Sequence, residues 1–248
     1  MVSPAAAVFG ALPIPPEYPV EQHARLHQAA IAFFGRESVP SALQDEFRSA
    51  WNAVVYRYVA CLESAEAFAR SVERHGDAPA HPERYAQERD FFNFVVNGMA
   101  CIEALHYGIF AWCSSRALTG FDLANERDRR AVNPATALDR LRDVPDASAV
   151  ASALGTLLAS ATYYVWGNLR RILFHRGLPG RLISVVIGGG SGSATRYHRF
   201  GESEGPEVTP ETSRQMSRWL TDQLRLVLPL AQEWVSASST LPGTSSQT

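Results

Sequence analysis

Residues 68–94 read Phe68-Ala-Arg-Ser-Val-Glu-Arg-His-Gly76-Asp-Ala-Pro-Ala-His-Pro82-Glu-Arg-Tyr-Ala-Gln-Glu-Arg-Asp-Phe91-Phe-Asn-Phe94. One helical period runs into Gly76, residues 77–82 carry turn chemistry, and a second helical period leaves Glu83. Upstream, Phe47, Trp51, Val54, Val55, Tyr58, Cys61, Leu62 and Phe68 keep the helical spacing back to Ser41. Asp45 and Glu46 sit near the positive end of that helix. At a 1.5 Å rise such a helix is about 50 Å long. Downstream, Phe91, Phe92, Phe94, Val95, Met99, Ile102, Leu105, Phe110 and Trp112 make residues 83–118 apolar around most of the circumference, as in a central bundle helix. Two long helices joined by a short turn predict an antiparallel hairpin.

On either side of this hairpin the signals remain mostly helical. Residues 1–16 read as an extended arm. Residues 18–35 predict a helix with Leu26, Ala30 and Phe33 on one face and Gly35 as its stop. His23 and His27 stand four apart on it without a third ligand or an acid, so they read as surface histidines and not as a metal pair. Residues 121–131 are charged and loop-like, and Pro134 opens a short helix to about residue 142. Pro145-Asp146 then starts a third long element, residues 147–176, with a small, apolar first half followed by Tyr163, Tyr164 and Trp166. Leu178-Pro179-Gly180 breaks it. Residues 182–187 and 197–200 predict a β-hairpin with a glycine-rich tip that lacks the lysine of a phosphate loop. Residues 206–210 are a linker, residues 211–236 an amphipathic helix, and residues 237–248 a disordered tail. The expected class is mainly α: an antiparallel bundle of long helices with a small β-hairpin and a C-terminal helix. Residues 17–235 are expected to form a single domain.

All 23 basic residues are arginine. The lack of lysine excludes a Schiff-base lysine, a Walker-type lysine and a Ser-Lys pair. The net charge of −2 gives no global attraction to nucleic acid or membrane, so anion binding must be local. Cys61, Cys101 and Cys113 have apolar helical contexts and no paired spacing, which predicts buried free thiols. The longest apolar stretch, residues 94–113, is interrupted by Asn97, Glu103 and His106 and is not read as a membrane span. The N-terminus makes a poor signal peptide, which leaves a cytoplasmic expectation. Neither a metal nor a cofactor is expected.

Charge is unevenly placed. Residues 147–200 contain no Asp or Glu, yet hold Arg170, Arg171, Arg176, Arg181, Arg196 and Arg199 with His175 and His198. Gathered arginines suit phosphate through charge-assisted fork contacts. Acids brought in from other helices, Glu103, Asp122 or Glu126, would instead neutralise them. On the second long helix, Asn93, Asn97, Ala100, Glu103 and Tyr107 share one stripe. The stripe reads either as a solvent-facing strip or as a polar wall facing a cleft, with Glu103 placed to hold an arginine.

An arginine followed at four to six residues by a histidine occurs three times, as Arg70/His75, Arg74/His81 and Arg170/His175. The first two lie in a charged segment. The third has Ile172, Leu173 and Phe174 as spacer, ends an apolar helix, and sits in the acid-free stretch. That arrangement resembles the HEPN superfamily (higher eukaryotes and prokaryotes nucleotide-binding domains). These are all-α bundles marked by Arg, four to six residues, then His, often with Asn after the Arg. Arg171 stands at the Asn position, a departure from the commonest form. The resemblance covers residues 41–177 and implies a metal-independent endoribonuclease, of the kind found in toxin or anti-phage systems.

In that reading His175 is the acid/base, Arg170 the phosphate clamp, Arg171 an auxiliary clamp, and Glu103 the group that orients Arg170. Arg176 and Arg181 extend the phosphate-binding surface. Histidine titrates near neutrality and arginine stays charged, which suits them to proton transfer and to the developing phosphorane charge. The resemblance also implies a homodimer that brings two motifs together, RNA or a nucleotide as ligand, and an antitoxin or defence-system partner. The alternatives are a non-catalytic dimerisation or nucleotide/RNA-binding module, and a helical protein whose cations only cap a helix and pair with acids.

Overall fold

A computed structural model describes residues 12–173, 180–185, 193–198 and 206–240. The chain is mainly α, packed helix on helix. In order it runs α1 (Val20–Arg36), α2 (Ser41–His75), α3 (His81–Ser115), α4 (Glu126–Ala131), α5 (Pro134–Leu141), a 3₁₀ turn (Pro145–Ala147), α6 (Ser148–Ala159), α7 (Ala161–Leu173), β1 (Gly180–Val185), β2 (Ser193–His198), β3 (Glu207–Val208) and α8 (Pro210–Thr240). Residues 1–11 of the expected arm and the tail from 241 lie outside the described residues. The chain divides into two compact units, each assembled from separate segments. The first holds Met1–Val55, Ile102–Leu158 and Thr221–Thr248, the second Tyr56–Cys101 and Ala159–Leu220.

The first unit is built on an aromatic core. Phe47 and Trp51 stack with centroids 5.8 Å apart, His23 lies 4.8 Å from Trp51, and Phe34 and Trp112 close on Phe47. His23 is fully buried, with Nδ1 2.6 Å from the Tyr18 hydroxyl. This corrects the surface reading: a ring placed between a tyrosine and a tryptophan is core. Burial and the neighbouring His27 hold its pKa well below the usual histidine range.

Helix ends explain several differences from expectation. Helix α1 passes through Gly35 and ends at Arg36, and Ser38 takes the left-handed conformation (φ 50°). Helix α3 stops at Ser115, three residues early. Ala117 turns left-handed (φ 52°), its N–H bonds Ser114 O, and Leu118 N–H bonds Cys113 O, which is a Schellman closure. The charged segment expected as loop contains α4, capped by Asn125 Oδ1 accepting from Arg127 N–H at 2.9 Å. Asn133 caps α5 in the same way through Thr136 N–H at 3.0 Å, with Pro134 in the first turn.

In the second unit the turn between α2 and α3 closes at Gly76 (φ +73°), whose carbonyl accepts from Gln87 Nε2 at 3.0 Å. Phe68, Phe91, Phe94 and Trp166 then form a chain of ring contacts at 5.3, 6.2 and 4.7 Å. The expected third long element is not one helix. It ends at Ala159 and restarts at Ala161, because Ser160 Oγ accepts from Tyr163 N–H at 3.1 Å and caps the new helix.

β1 and β2 pair antiparallel from Gly180↔His198 to Val185↔Ser193, so the hairpin begins earlier than its β-branched run. The expected linker supplies β3, which pairs antiparallel with β2 and buries Val208. Thr209 and Thr212 form a reciprocal cap: Thr209 Oγ1 accepts from Thr212 N–H at 3.1 Å, and Thr212 Oγ1 from Thr209 N–H at 2.7 Å. Helix α8 then runs to Thr240, four residues beyond the expected end.

Helix α3 is long and apolar enough to cross a membrane, but 67% of its most apolar window is buried within the protein, as in a core helix. Cys61, Cys101 and Cys113 are free and buried, as their contexts predict, and burial pushes all three thiols up. None is disposed to act as a thiolate nucleophile.

Candidate functional site

The sequence-predicted residues fall in different parts of the chain. Arg170 and Arg171 occupy the last turn of α7, in the second unit. Trp166, Leu169 and Ile172 are buried and fix which face of this helix turns inward. Arg170 is half-buried. Arg171 is exposed and donates from Nη2 to Asn168 Oδ1 at 3.4 Å. His175 and Arg176 lie outside the described residues. Arg181 stands in β1 with its backbone paired to that of Tyr197, and Arg196 in β2 is paired to Leu182. The next two described elements after α7, β1 and β2, thus carry two further arginines.

Glu103 belongs to the first unit. There it lines a cavity of about 390 Å³ with Glu46, Ala50, Ala53, Tyr107 and Asn133. The cavity exists because α2 and α3 present small side chains to it, Ala50 and Ala53 from one and Ala104 from the other. Its polar wall is organised by Glu46. One oxygen accepts from Arg129 Nη1 at 3.1 Å and the other from the Tyr107 hydroxyl at 2.9 Å. Burial, then the hydrogen bond to Glu46, raises the Tyr107 pKa well above its usual value. Tyr107 is thus a fixed donor near neutral pH and not a proton shuttle. Glu46 is neutralised by an arginine from α4.

The polar stripe of α3 therefore has two destinations. Glu103 and Tyr107 face the cavity, as the wall reading expects. In the second unit Asn97 accepts from Arg57 Nη1 at 2.9 Å and donates to Asn93 O at 2.8 Å, which ties α3 to α2. Sequence reading missed Glu46, Arg129 and Asn133. Glu46 looked like a helix-start acid, and its contacts across 61 and 83 residues leave no local pattern.

A second cavity, of about 400 Å³, lies in the second unit between Ala161, Thr162 and Val165 of α7 and Glu207, Thr212 and Met216. Among the described residues, no group of three or more His, Cys, Asp or Glu could hold a metal ion. Compared with known proteins, the chain matches no family model, no curated protein and no solved structure.

Proposed function

We propose that the chain is a metal-independent endoribonuclease of HEPN type, acting at the arginine end of α7. The observation that supports this reading most directly is the placement of Arg170 and Arg171 in the last turn of a helix anchored by Trp166, Leu169 and Ile172, inside a stretch without a single carboxylate. A rigid helix end presenting guanidinium groups suits a phosphate.

In this reading His175 takes the proton of a ribose 2′-OH. The 2′-oxygen bonds to phosphorus, and the bond from phosphorus to the 5′-oxygen breaks. The leaving oxygen is protonated by the second motif of a homodimer, and a 2′,3′-cyclic phosphate remains. Arg170 holds the phosphoryl oxygens as charge develops on them, with Arg171 beside it. A toxin or phage-defence role with an antitoxin partner belongs to the same proposal.

The test is cleavage of total RNA by purified protein in EDTA. The expected result is product with cyclic phosphate ends, reduced about a hundredfold or more in His175→Ala and Arg170→Ala. RNA left intact by the wild type, or cleavage unchanged in His175→Ala, overturns the nuclease. RNA bound but not cleaved establishes the non-catalytic binding module instead.

A further inference from the structure

The outward face of α7 carries, beside Arg171, an aromatic ring that the cleavage chemistry does not use. Opposite Trp166, Leu169 and Ile172 stand Tyr164, Gly167, Asn168 and Arg171. Tyr164 is 68% exposed, a large aromatic ring held out from a helix whose other face is fixed in the core. A Cβ on Gly167 would meet nothing within 4 Å, so the surface beside the ring is open. Tyr164 and Arg171 are seven residues apart, two helical turns. They share an azimuth and lie about 10 Å apart along the axis. Asn168 stands between them and accepts from Arg171, which sets the guanidinium on this face. The surrounding stretch, residues 147–200, contributes no negative side chain.

We propose that Tyr164 is a stacking platform for an unpaired base of single-stranded RNA whose backbone is held at Arg171. The inference rests on the reading that this end of α7 handles RNA, and it adds the form of the substrate: a single strand with accessible bases. An aromatic face accepts any base, because every base has a π-face, and a guanidinium two turns away takes a phosphate of the same strand. Charge favours RNA over a protein occupant: the segment that carries the ring holds arginines and no carboxylate, which suits a continuous polyanion.

The experiment is fluorescence anisotropy of the full chain with a fluorescein-labelled, single-stranded 2′-O-methyl oligonucleotide. This strand lacks the nucleophile and is not cleaved. An abasic strand with the same number of phosphates is the control. Tyr164→Ala is expected to weaken binding about tenfold or more, and Tyr164→Phe to bind as the wild type. The abasic strand should bind the wild type no better than the base-bearing strand binds Tyr164→Ala. Arg171→Ala should weaken binding to both strands and lower the salt slope by about one.

Equal affinity of Tyr164→Ala and wild type, or of the two strands, overturns the platform and leaves the RNA reading standing. A wild type that binds neither strand overturns both. Base-dependent binding without cleavage of ordinary RNA removes the nuclease and keeps the platform. Sedimentation of the same variants covers a second copy as occupant: a dimer that becomes monomeric in Tyr164→Ala assigns the ring to an interface and overturns the proposal.

Discussion

Trp51 in the first unit lies against Gly108, and Trp166 in the second lies against Gly98; both glycines belong to α3. The two seats differ in tolerance. A Cβ on Gly108 would come 3.1 Å from the Trp51 ring, whereas one on Gly98 would come within 2.0 Å of two Trp166 ring carbons. They also differ in polarity. Trp51 donates from its indole N–H to His23 O at 3.2 Å. Trp166 Nε1 is buried with no hydrogen-bond partner among the described residues. The first unit combines packing with polar ties and buried histidines. The second fixes α7, the helix that carries the arginines, by close steric fit.

The largest expected contrast is in acid. In the first unit His23 and His106 are buried, and burial lowers the pKa of both, that of His106 to about 4. In the second, His75 and His81 are exposed. Unfolded histidine binds its proton near pH 6.5 and native His106 only near pH 4. The His106 contribution is therefore unchanged above about pH 6.5, and as the pH drops toward 4 it lowers stability by about 3 kcal/mol. Hydrogen exchange at pH 5 should show protection lost first around Ile102–Leu158, and the pH slope of denaturant unfolding should flatten in His106→Gln. Equal loss in the segment Tyr56–Cys101 would break the contrast.

Gly98→Ala comes next. Displacing a fully buried Trp166 outweighs the gain of about 1 kcal/mol in helix propensity, for a net loss of about 2 kcal/mol by urea denaturation. Ala117→Gly in the first unit should go the other way. It relieves a left-handed alanine and stabilises by about 1 kcal/mol in the same assay. The smallest effect is Gly108→Ala. Trp51 needs to yield only a few tenths of an ångström, so strain and propensity offset each other to within about 0.5 kcal/mol. A Gly108→Ala loss equal to that of Gly98→Ala would show that the two seats are alike.

Helix identity was legible wherever an apolar period met a terminator, as in α2, whose observed bounds coincide with the expected Ser41 and His75. Boundaries set by hydrogen bonds were less so. Ser160 divides a run of small apolar residues that reads as continuous helix, because a capping hydroxyl also occurs inside helices. The arginine end of α7 was visible because charge exclusion is a property of contiguous sequence. The cavity on Glu46 was not, because its lining is drawn from α2, α3 and the segment before α5.

Periodicity and charge are local, so the chain alone specifies its helices, their apolar faces and a segment from which acids are excluded. Contact between distant residues depends on how those faces meet. Folding alone buried His23 between Tyr18 and Trp51, placed Trp166 on Gly98, neutralised Glu46 with Arg129 and turned Tyr164 outward. In each case the energy lies in a pair or a face whose geometry is set by packing.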